Sequence, residues 1–439
     1  MGDLQMDRLL QKIADHDAHV AVIGLGYVGL PLAVGFAKAG FRVMGIDVDT
    51  GRVERLKRGM SYVKDIPSPD VKSLVETGRF VATNEFHYLA EADVCCICVP
   101  TPLNKTKDPD VSFIVEATRA VKAGLRQGQL IVLESTTYPG TTRELVLPIL
   151  QDSGLKVGED FYLAFSPERI DPGNSTYHLK NTPRVVGGIT PVCQQVAVAL
   201  YSTIVERVVS VSSAEAAEMT KLLENTFRIV NIGLVNEIAL MCDRLGINVW
   251  EVVEAASSKP YGYIPFYPGP GLGGHCIPVD PHYLSWKLRS LNYRARFIDL
   301  ASEINAAMPL YIVNKVTDGL NRAKKSVNGS VVLVLGVAYK RDIDDVRESP
   351  ALDIIKLLLD KGAQVSWHDP YAGTLKGLDG ATREPILDAE TLGKADCVVI
   401  ATDHSVYDWN AIVKESRLIV DTRNATHGII ADRHKIVQL

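Results

Sequence analysis

The spacing of apolar residues changes three times along the chain. Between His19 and Leu133, short apolar runs alternate with stretches of helical period. The runs His19–Ile23, Arg42–Ile46, Val94–Val99 and Leu130–Leu133 read as strands buried on both faces. Helical patterns cover Pro31–Ala39, stopped by Gly40, then a stretch from about Arg52, then Phe113–Ala123. Further strands are expected at Tyr162–Phe165 and Arg184–Gly187. From Ser213 to Leu245 the chain has no Pro and only Gly233, which predicts one long helix, with another running through Glu254. His282–Arg289 and Phe297–Arg322 also read as helix, the latter kinked or split at Pro309. From Ser330 the alternation returns, with strands at Val331–Gly336, Gln364–Trp367, Cys397–Ala401 and Leu418–Val420 and a helix at Ala351–Asp360. Strand–helix alternation at both ends predicts an α/β protein: two Rossmann-like doubly wound domains joined by a helical central domain. The boundaries fall at 1–210, 211–325 and 326–439. Met1–Asp17 reads as a short amphipathic helix.

Bulk properties narrow the function classes. A chain of 439 residues implies two or three domains. With 46% hydrophobic and 23% charged residues it has the balance of a soluble globular protein. A net charge of −5 gives no basic footprint for nucleic acid, and no apolar run reaches membrane-spanning length. The first residues lack the apolar core of a signal peptide, so a cytoplasmic protein is expected. Seven cysteines without such a leader argue against a disulfide framework. Cys95, Cys96 and Cys98 lie in a strand whose neighbours point to opposite faces, so they read as small core hydrophobes and not as metal ligands. No metal site is expected.

Chemistry concentrates at the ends of the expected strands. Gly24-Leu-Gly26-Tyr27-Val28-Gly29 joins a strand to a helix, and Asp47 follows 18 residues after Gly29. This is the dinucleotide fingerprint: a tight turn, close approach of the pyrophosphate, close helix packing, and an acid for the ribose. Asp47 favours NAD over NADP, while Arg52 works slightly against that preference. Pro100 and Thr101 follow one later strand, and Ser135, Thr136 and Thr137 follow another; their hydroxyls face either a cofactor and water or ordinary turn backbone. Glu168 is a candidate base or water-holder, with Arg169 its candidate ion-pair partner. Lys221 and Asn225 share a helix face, where Glu224 would pair with Lys221; an ammonium and a carboxamide there also suit an oxyanion. Lys340 and Arg423 follow strands of the second α/β domain and are candidates for a diphosphate.

Residues 268–280 read Pro-Gly-Pro-Gly-Leu-Gly-Gly-His-Cys-Ile-Pro-Val-Asp, with four glycines in the six positions before His275. Such a stretch is expected to be bare loop, ending in a thiol at Cys276 with a carboxylate at Asp280. Alone it is equally a surface turn with an inert cysteine or a ligand-gripping loop with a nucleophile.

Taken in order, these motifs resemble the nucleotide-sugar dehydrogenases, the UDP-glucose and UDP-N-acetylhexosamine 6-dehydrogenases. The resemblance spans Gly24 to Asn424 through Gly-x-Gly-Tyr-Val-Gly-Leu-Pro at 24–31, Ser-Thr-Thr-Tyr-Pro at 135–139, Pro-Glu-Arg at 167–169, Lys-x-x-x-Asn at 221–225, Gly-Gly-x-Cys at 273–276 with Asp280, and Lys340-Arg-Asp with Arg347-Glu-Ser. It implies oxidation of a UDP-sugar C6 alcohol to a carboxylate with two NAD, for surface polysaccharide precursors. Cys276 would carry thiohemiacetal and thioester, Lys221 and Asn225 would stabilise oxyanions, Asp280 and Thr137 would position water, and Glu168 would assist hydrolysis. Arg347 would reach the NAD side. Glu168, Arg169, Lys221, Asn225, Tyr267, Gly271, Gly273, Lys340 and Arg423 would line the UDP-sugar site, and the helical middle would form a homodimer or larger homo-oligomer. Val279 stands where UDP-glucose enzymes carry Lys, and Ser166-Pro-Glu-Arg-Ile-Asp-Pro-Gly173 resembles the UDP-N-acetylglucosamine branch, which points to UDP-GlcNAc ahead of UDP-ManNAc or UDP-glucose. Two rival readings keep the fingerprint: a one-step hydroxyacid dehydrogenase, which leaves Cys276 idle, and a non-catalytic NAD-binding scaffold, which leaves the whole constellation idle.

Overall fold

A computed structural model describes residues 2–104, 108–171, 174, 176–274, 276–373, 375 and 377–439. The chain forms two compact units. One comprises residues up to Glu224 together with His282–Asn292; the other comprises Asn225–Pro281 and Tyr293–Leu439.

The first unit is built on eight strands: β1 His19–Ile23, β2 Arg42–Ile46, β3 Phe80–Thr83, β4 Val94–Ile97, β5 Leu130–Leu133, β6 Tyr162–Phe165, β7 Arg184–Gly188 and β8 Val208–Ser210. Their order is β3-β2-β1-β4-β5-β6-β7-β8, and every pairing is parallel except β6 with β7. Reversal of strand order beside β1 opens the crevice where such sheets bind ligands. The central strands are buried throughout, which is why they read as unbroken apolar runs. One face packs Leu30, Phe36, Phe41 and Tyr201; the other packs Ile23, Ile97, Leu133 and Phe165. The N-terminal segment is helical over Gly2–Ala14 and sinks Leu9 and Ile13 into the first of these cores.

The second unit holds a parallel six-stranded sheet: β9 Val331–Leu335, β10 Gln364–His368, β11 Thr382–Arg383, β12 Cys397–Ile400, β13 Ile419–Asp421 and β14 Ile436–Gln438, ordered β11-β10-β9-β12-β13-β14. Among the described residues its helical part has no separate core. Val235, Trp250, Met308, Ile312 and Val316 join Ile354, Val365 and Trp367 in one cluster on the sheet. The helix Arg296–Arg322 runs unbroken through Pro309, which is buried. The two sheets repeat a device. Asp47, after β2, accepts from the Leu25 N–H at 2.8 Å; Asp369, after β10, accepts from the Val337 N–H at 2.7 Å and the Ala338 N–H at 3.0 Å. Each acid ties down the turn after the first strand of its sheet.

One local expectation is corrected. Residues 276–280 are not loop: the helix Cys276–Arg289 begins at the thiol. Pro278 sits in the first turn, where a missing N–H leaves no bond unmade, and only Pro281 lies deeper in the helix.

Candidate active site

In the first unit, the turn after β1 is shaped by three glycines with different demands. Gly24 adopts φ +88°, and a Cβ on Gly29 would stand 1.8 Å from the Gly24 carbonyl oxygen, so the turn and the helix start require glycine. A Cβ on Gly26 would meet nothing within 4 Å, leaving room for a ligand against bare backbone. The helix Gly29–Lys38 begins at Val28 with no side-chain cap; Pro31 has no N–H and the Leu30 and Leu32 N–H groups donate to the Gly26 and Val28 carbonyls, so it is the positive end of the helix that suits an anion. Tyr27 is exposed beside this end. Asp47 is 6% exposed and already accepts from Leu25 and Asp49 N–H groups. Arg52 lies 3.6 Å from both Asp47 and Asp49 and over the Tyr62 ring. Its charge is matched by two carboxylates, which weakens its fitness for a 2′-phosphate. The open glycine, uncapped helix end and acid after β2 fit a dinucleotide such as NAD.

Beyond β4, Pro100 is exposed and Thr101 is buried; the Thr101 carbonyl accepts from the Tyr283 hydroxyl at 2.5 Å. Beyond β5, the Ser135 hydroxyl donates to the Val99 carbonyl at 2.7 Å, and the Thr137 and Thr141 hydroxyls are 2.8 Å apart. Thr136 is half-buried. The same turn is gripped by Glu218, which the sequence reading missed. Its carboxylate accepts from Gly140 N–H at 2.5 Å, Thr142 N–H at 2.9 Å and the Thr142 hydroxyl at 2.6 Å. Glu218 is fully buried, and burial pushes its carboxyl up to about 7. It stands three residues before Lys221 on the long helix Ala214–Leu245 and couples that helix to the Thr137 turn.

Two expected ion pairs are exchanged for others. Glu168 does not pair with Arg169, nor Glu224 with Lys221. Arg169 pairs with Glu224 at 2.7 Å, and Glu168 pairs with Arg184 at 2.8 Å. Arg184 also bridges to Glu134, so the buried cation comes from β7, where the sequence showed only a strand start. Burial pushes the Glu168 carboxyl above its usual range, against the N–H groups of Ile170 and Arg169 and the charges of Lys221 and Arg169. Lys221 is 9% exposed.

In the second unit, Asn225 donates to the Asp280 carboxylate at 2.5 Å, and both are buried. Cys276, four residues before Asp280, is exposed at the first position of its helix, where the helix end favours negative charge. The glycine stretch before it lies against the ends of the second sheet. Gly274 N–H donates to the Arg347 carbonyl at 2.9 Å, and a Cβ on Gly273 would stand 2.4 Å from the Tyr339 Cβ. A Cβ on Gly269 would stand 2.8 Å from the Arg423 guanidinium. Gly271 adopts φ +134° beside Pro350. Burial lowers Arg423 to about 10, and its Nε donates to the Ala401 carbonyl. Lys340 is half-buried, Arg347 pairs with Asp345, and Tyr267 is exposed and stacks on Trp250 at 6.3 Å. His275, Pro172 and Gly173 lie outside the described residues.

Comparison with known proteins decides the family. Three domains of the UDP-glucose/GDP-mannose dehydrogenase family match in order: the NAD binding domain over residues 18–205, the central domain over 215–307, and the UDP binding domain over 333–428. The chain belongs to the UDP-glucose/GDP-mannose dehydrogenase family. It is 36% identical over 413 residues to the UDP-N-acetyl-D-mannosamine dehydrogenase of Pyrococcus horikoshii, covering 92% of this chain and 95% of that one. It is 34% identical over 393 residues to the UDP-N-acetyl-D-glucosamine 6-dehydrogenase of Pseudomonas aeruginosa, covering 89% and 92%. A solved structure of the UDP-D-ManNAc dehydrogenase from Pyrococcus horikoshii matches with a TM-score of 0.86 at 34% identity over 96% of this chain and 98% of that one. The protein is therefore an NAD-dependent nucleotide-sugar dehydrogenase with the expected α/β architecture. No helix among the described residues is long and apolar enough to cross a membrane, and no cluster among them is suited to a metal.

Proposed function

We propose that the protein carries out a four-electron oxidation of the C6 hydroxyl of a UDP-N-acetylhexosamine to the uronic acid through a covalent step on Cys276. The observation that carries this is the exposed thiol at a helix start, one turn ahead of a buried Asp280–Asn225 pair. NAD, when bound, accepts the hydride in each oxidation. After the first, Cys276 Sγ adds to the C6 aldehyde, and Lys221 and Asn225 stabilise the thiohemiacetal oxyanion. The second leaves a thioester. Water, ordered by Asp280 and Thr137 with Glu168 as proton acceptor, then adds to its carbonyl. The C–S bond breaks, the sulfur departs as thiolate, and the sugar leaves as a carboxylate. Gly24, Gly26, Tyr27, Val28, Gly29, Asp47, Arg52, Pro100, Thr101, Ser135, Thr136 and Arg347 serve the cofactor. Arg169, Tyr267, Gly271, Gly273, Lys340 and Arg423 serve the UDP-sugar.

The acetamido preference rests on Val279, which is uncharged and 8% exposed one turn beyond Cys276, and on the names of the relatives above. UDP-GlcNAc is supported by the Ser166–Gly173 resemblance. NADH yield per sugar tests the covalent route: two supports it, and one removes it. Steady-state kinetics on UDP-GlcNAc, UDP-ManNAc and UDP-glucose test the sugar; a clear preference for UDP-glucose overturns the acetamido reading.

The long helix supports a homo-oligomer. Met219, Leu223, Phe227, Leu234, Met241 and Leu245 are all exposed. At about 100° per residue they fall within about 80° of one another, an apolar stripe that a second copy would bury.

A further inference from the structure

The Oε1 of Glu168 accepts from Arg169 N–H at 2.6 Å and Ile170 N–H at 2.8 Å, and its Oε2 from an Arg184 terminal nitrogen at 2.8 Å. Both oxygens are held, so the carboxylate has one orientation. Arg184 is 2% exposed, and its Nε donates to the Ser166 hydroxyl at 3.0 Å. Its other terminal nitrogen donates to Glu134, which is 1% exposed and also accepts from the Tyr201 hydroxyl. The guanidinium carbon lies 5.0 Å from the Tyr201 ring centroid.

Topology explains how a cation reaches this place. β7 runs antiparallel to β6, pairing Ala164 with Gly188 and Phe165 with Gly187. Continuing that register three residues past Phe165 sets Glu168 opposite Arg184. A parallel β7 would start at the opposite edge of the sheet. The single reversed pairing delivers Arg184 to the edge where Glu134 and Glu168 leave β5 and β6.

The charge balance there is uneven. One guanidinium faces two buried carboxylates, and a buried charge is costly without a full partner. The other titratable groups facing Glu168 are Lys221 from the long helix, Arg169 (already paired with Glu224) and the Cys98 thiol; Tyr201 and Cys96 border Arg184. If Arg184 only fastened strands, Glu134 with Tyr201 would satisfy it. Instead it extends a second arm to the carboxylate nearest the strand ends.

We infer that Arg184 is a positioning residue for Glu168, and that Glu134, sharing the same guanidinium, sets how readily Glu168 accepts the proton of the water attacking the thioester. This rests on the proposed role of Glu168. The test combines intact-mass detection of acyl-Cys276 during turnover with the pH profile of kcat. Arg184→Gln should slow hydrolysis by on the order of 10²-fold, so the acyl adduct accumulates while the two-NADH burst persists. It should also move the acid limb to higher pH. Glu134→Gln leaves the guanidinium to Glu168 and should move that limb down by about one pH unit without adduct. A folded Arg184→Gln enzyme that slows every step equally without adduct overturns the inference, as does a Glu134→Gln profile in the wild-type position. If Arg184→Gln fails to fold, Glu134→Gln decides alone. Glu168→Gln separates the two ideas. No adduct there removes the role of Glu168; adduct there but not in Arg184→Gln removes only the role of Arg184.

Discussion

Replacing Glu218 with glutamine isolates the energetics of the turn after β5. In the native protein three donors converge on this fully buried carboxylate, yet burial prevails and its pKa rises from 4.5 to about 7. A group raised in this way supports the native state fully below 4.5, and its support fades as pH climbs through 7. Ionisation above that point costs the native state about 3 kcal/mol, and about 2 kcal/mol of this falls between pH 5.5 and 8.0. Glutamine does not titrate, but its amide NH2 confronts the Gly140 N–H, so the variant is less stable at pH 5.5. The gap should then narrow by about 2 kcal/mol by pH 8.0, because every other carboxylate is common to both proteins. Hydrogen-exchange mass spectrometry of peptides covering 140–151, corrected for the intrinsic pH dependence of exchange, reads the opening free energy where Glu218 acts. Parallel pH dependence in the two proteins would refute the reasoning.

Gly29→Ala places a methyl group against the Gly24 carbonyl and should reduce NAD affinity on the order of 10²-fold; unchanged affinity by titration calorimetry would show that the turn relaxes. Asp93 is buried, which raises its pKa, but hydrogen bonds from Lys12, Arg126 and His19 N–H prevail and hold it below 3.8. Asp93→Asn should therefore destabilise most above that value, with the difference in denaturation midpoint shrinking as pH falls toward and below it. Leu234→Glu puts a charge in the exposed stripe and should lower the assembly state in sedimentation velocity; an unchanged sedimentation coefficient would place the interface elsewhere.

The central strands were legible because burial on both faces writes them as continuous apolar runs. The four strands that went unread, β3, β8, β11 and β14, are the edges of the two sheets. They are short, and β8, β11 and β14 carry no buried residue, so neither run length nor alternation marks them. The helix at Cys276 was hidden by Pro278, which a first turn tolerates, and by Pro281, which lies deeper. Individual site residues were visible as types at strand ends, but their partners were not. Arg184 looked like the start of a strand because its significance depends on the antiparallel register with β6. Glu218 looked like one more acid on a helix because its donors lie about 75 residues earlier.

The burial of the Cys-rich strand has a practical consequence. Cys95, Cys96, Cys98, Cys193, Cys242 and Cys397 are all buried, while Cys276 is exposed. Burial pushes the thiols of Cys95 and Cys96 up to about 12 and those of Cys98 and Cys397 upward as well, so they stay protonated and unreactive at neutral pH. An alkylating reagent should thus consume one equivalent per native chain and seven after denaturation in urea. The wild-type protein then serves as its own thiol-titration standard, and the fraction of chains that are folded can be counted in a single thiol assay without removing any cysteine.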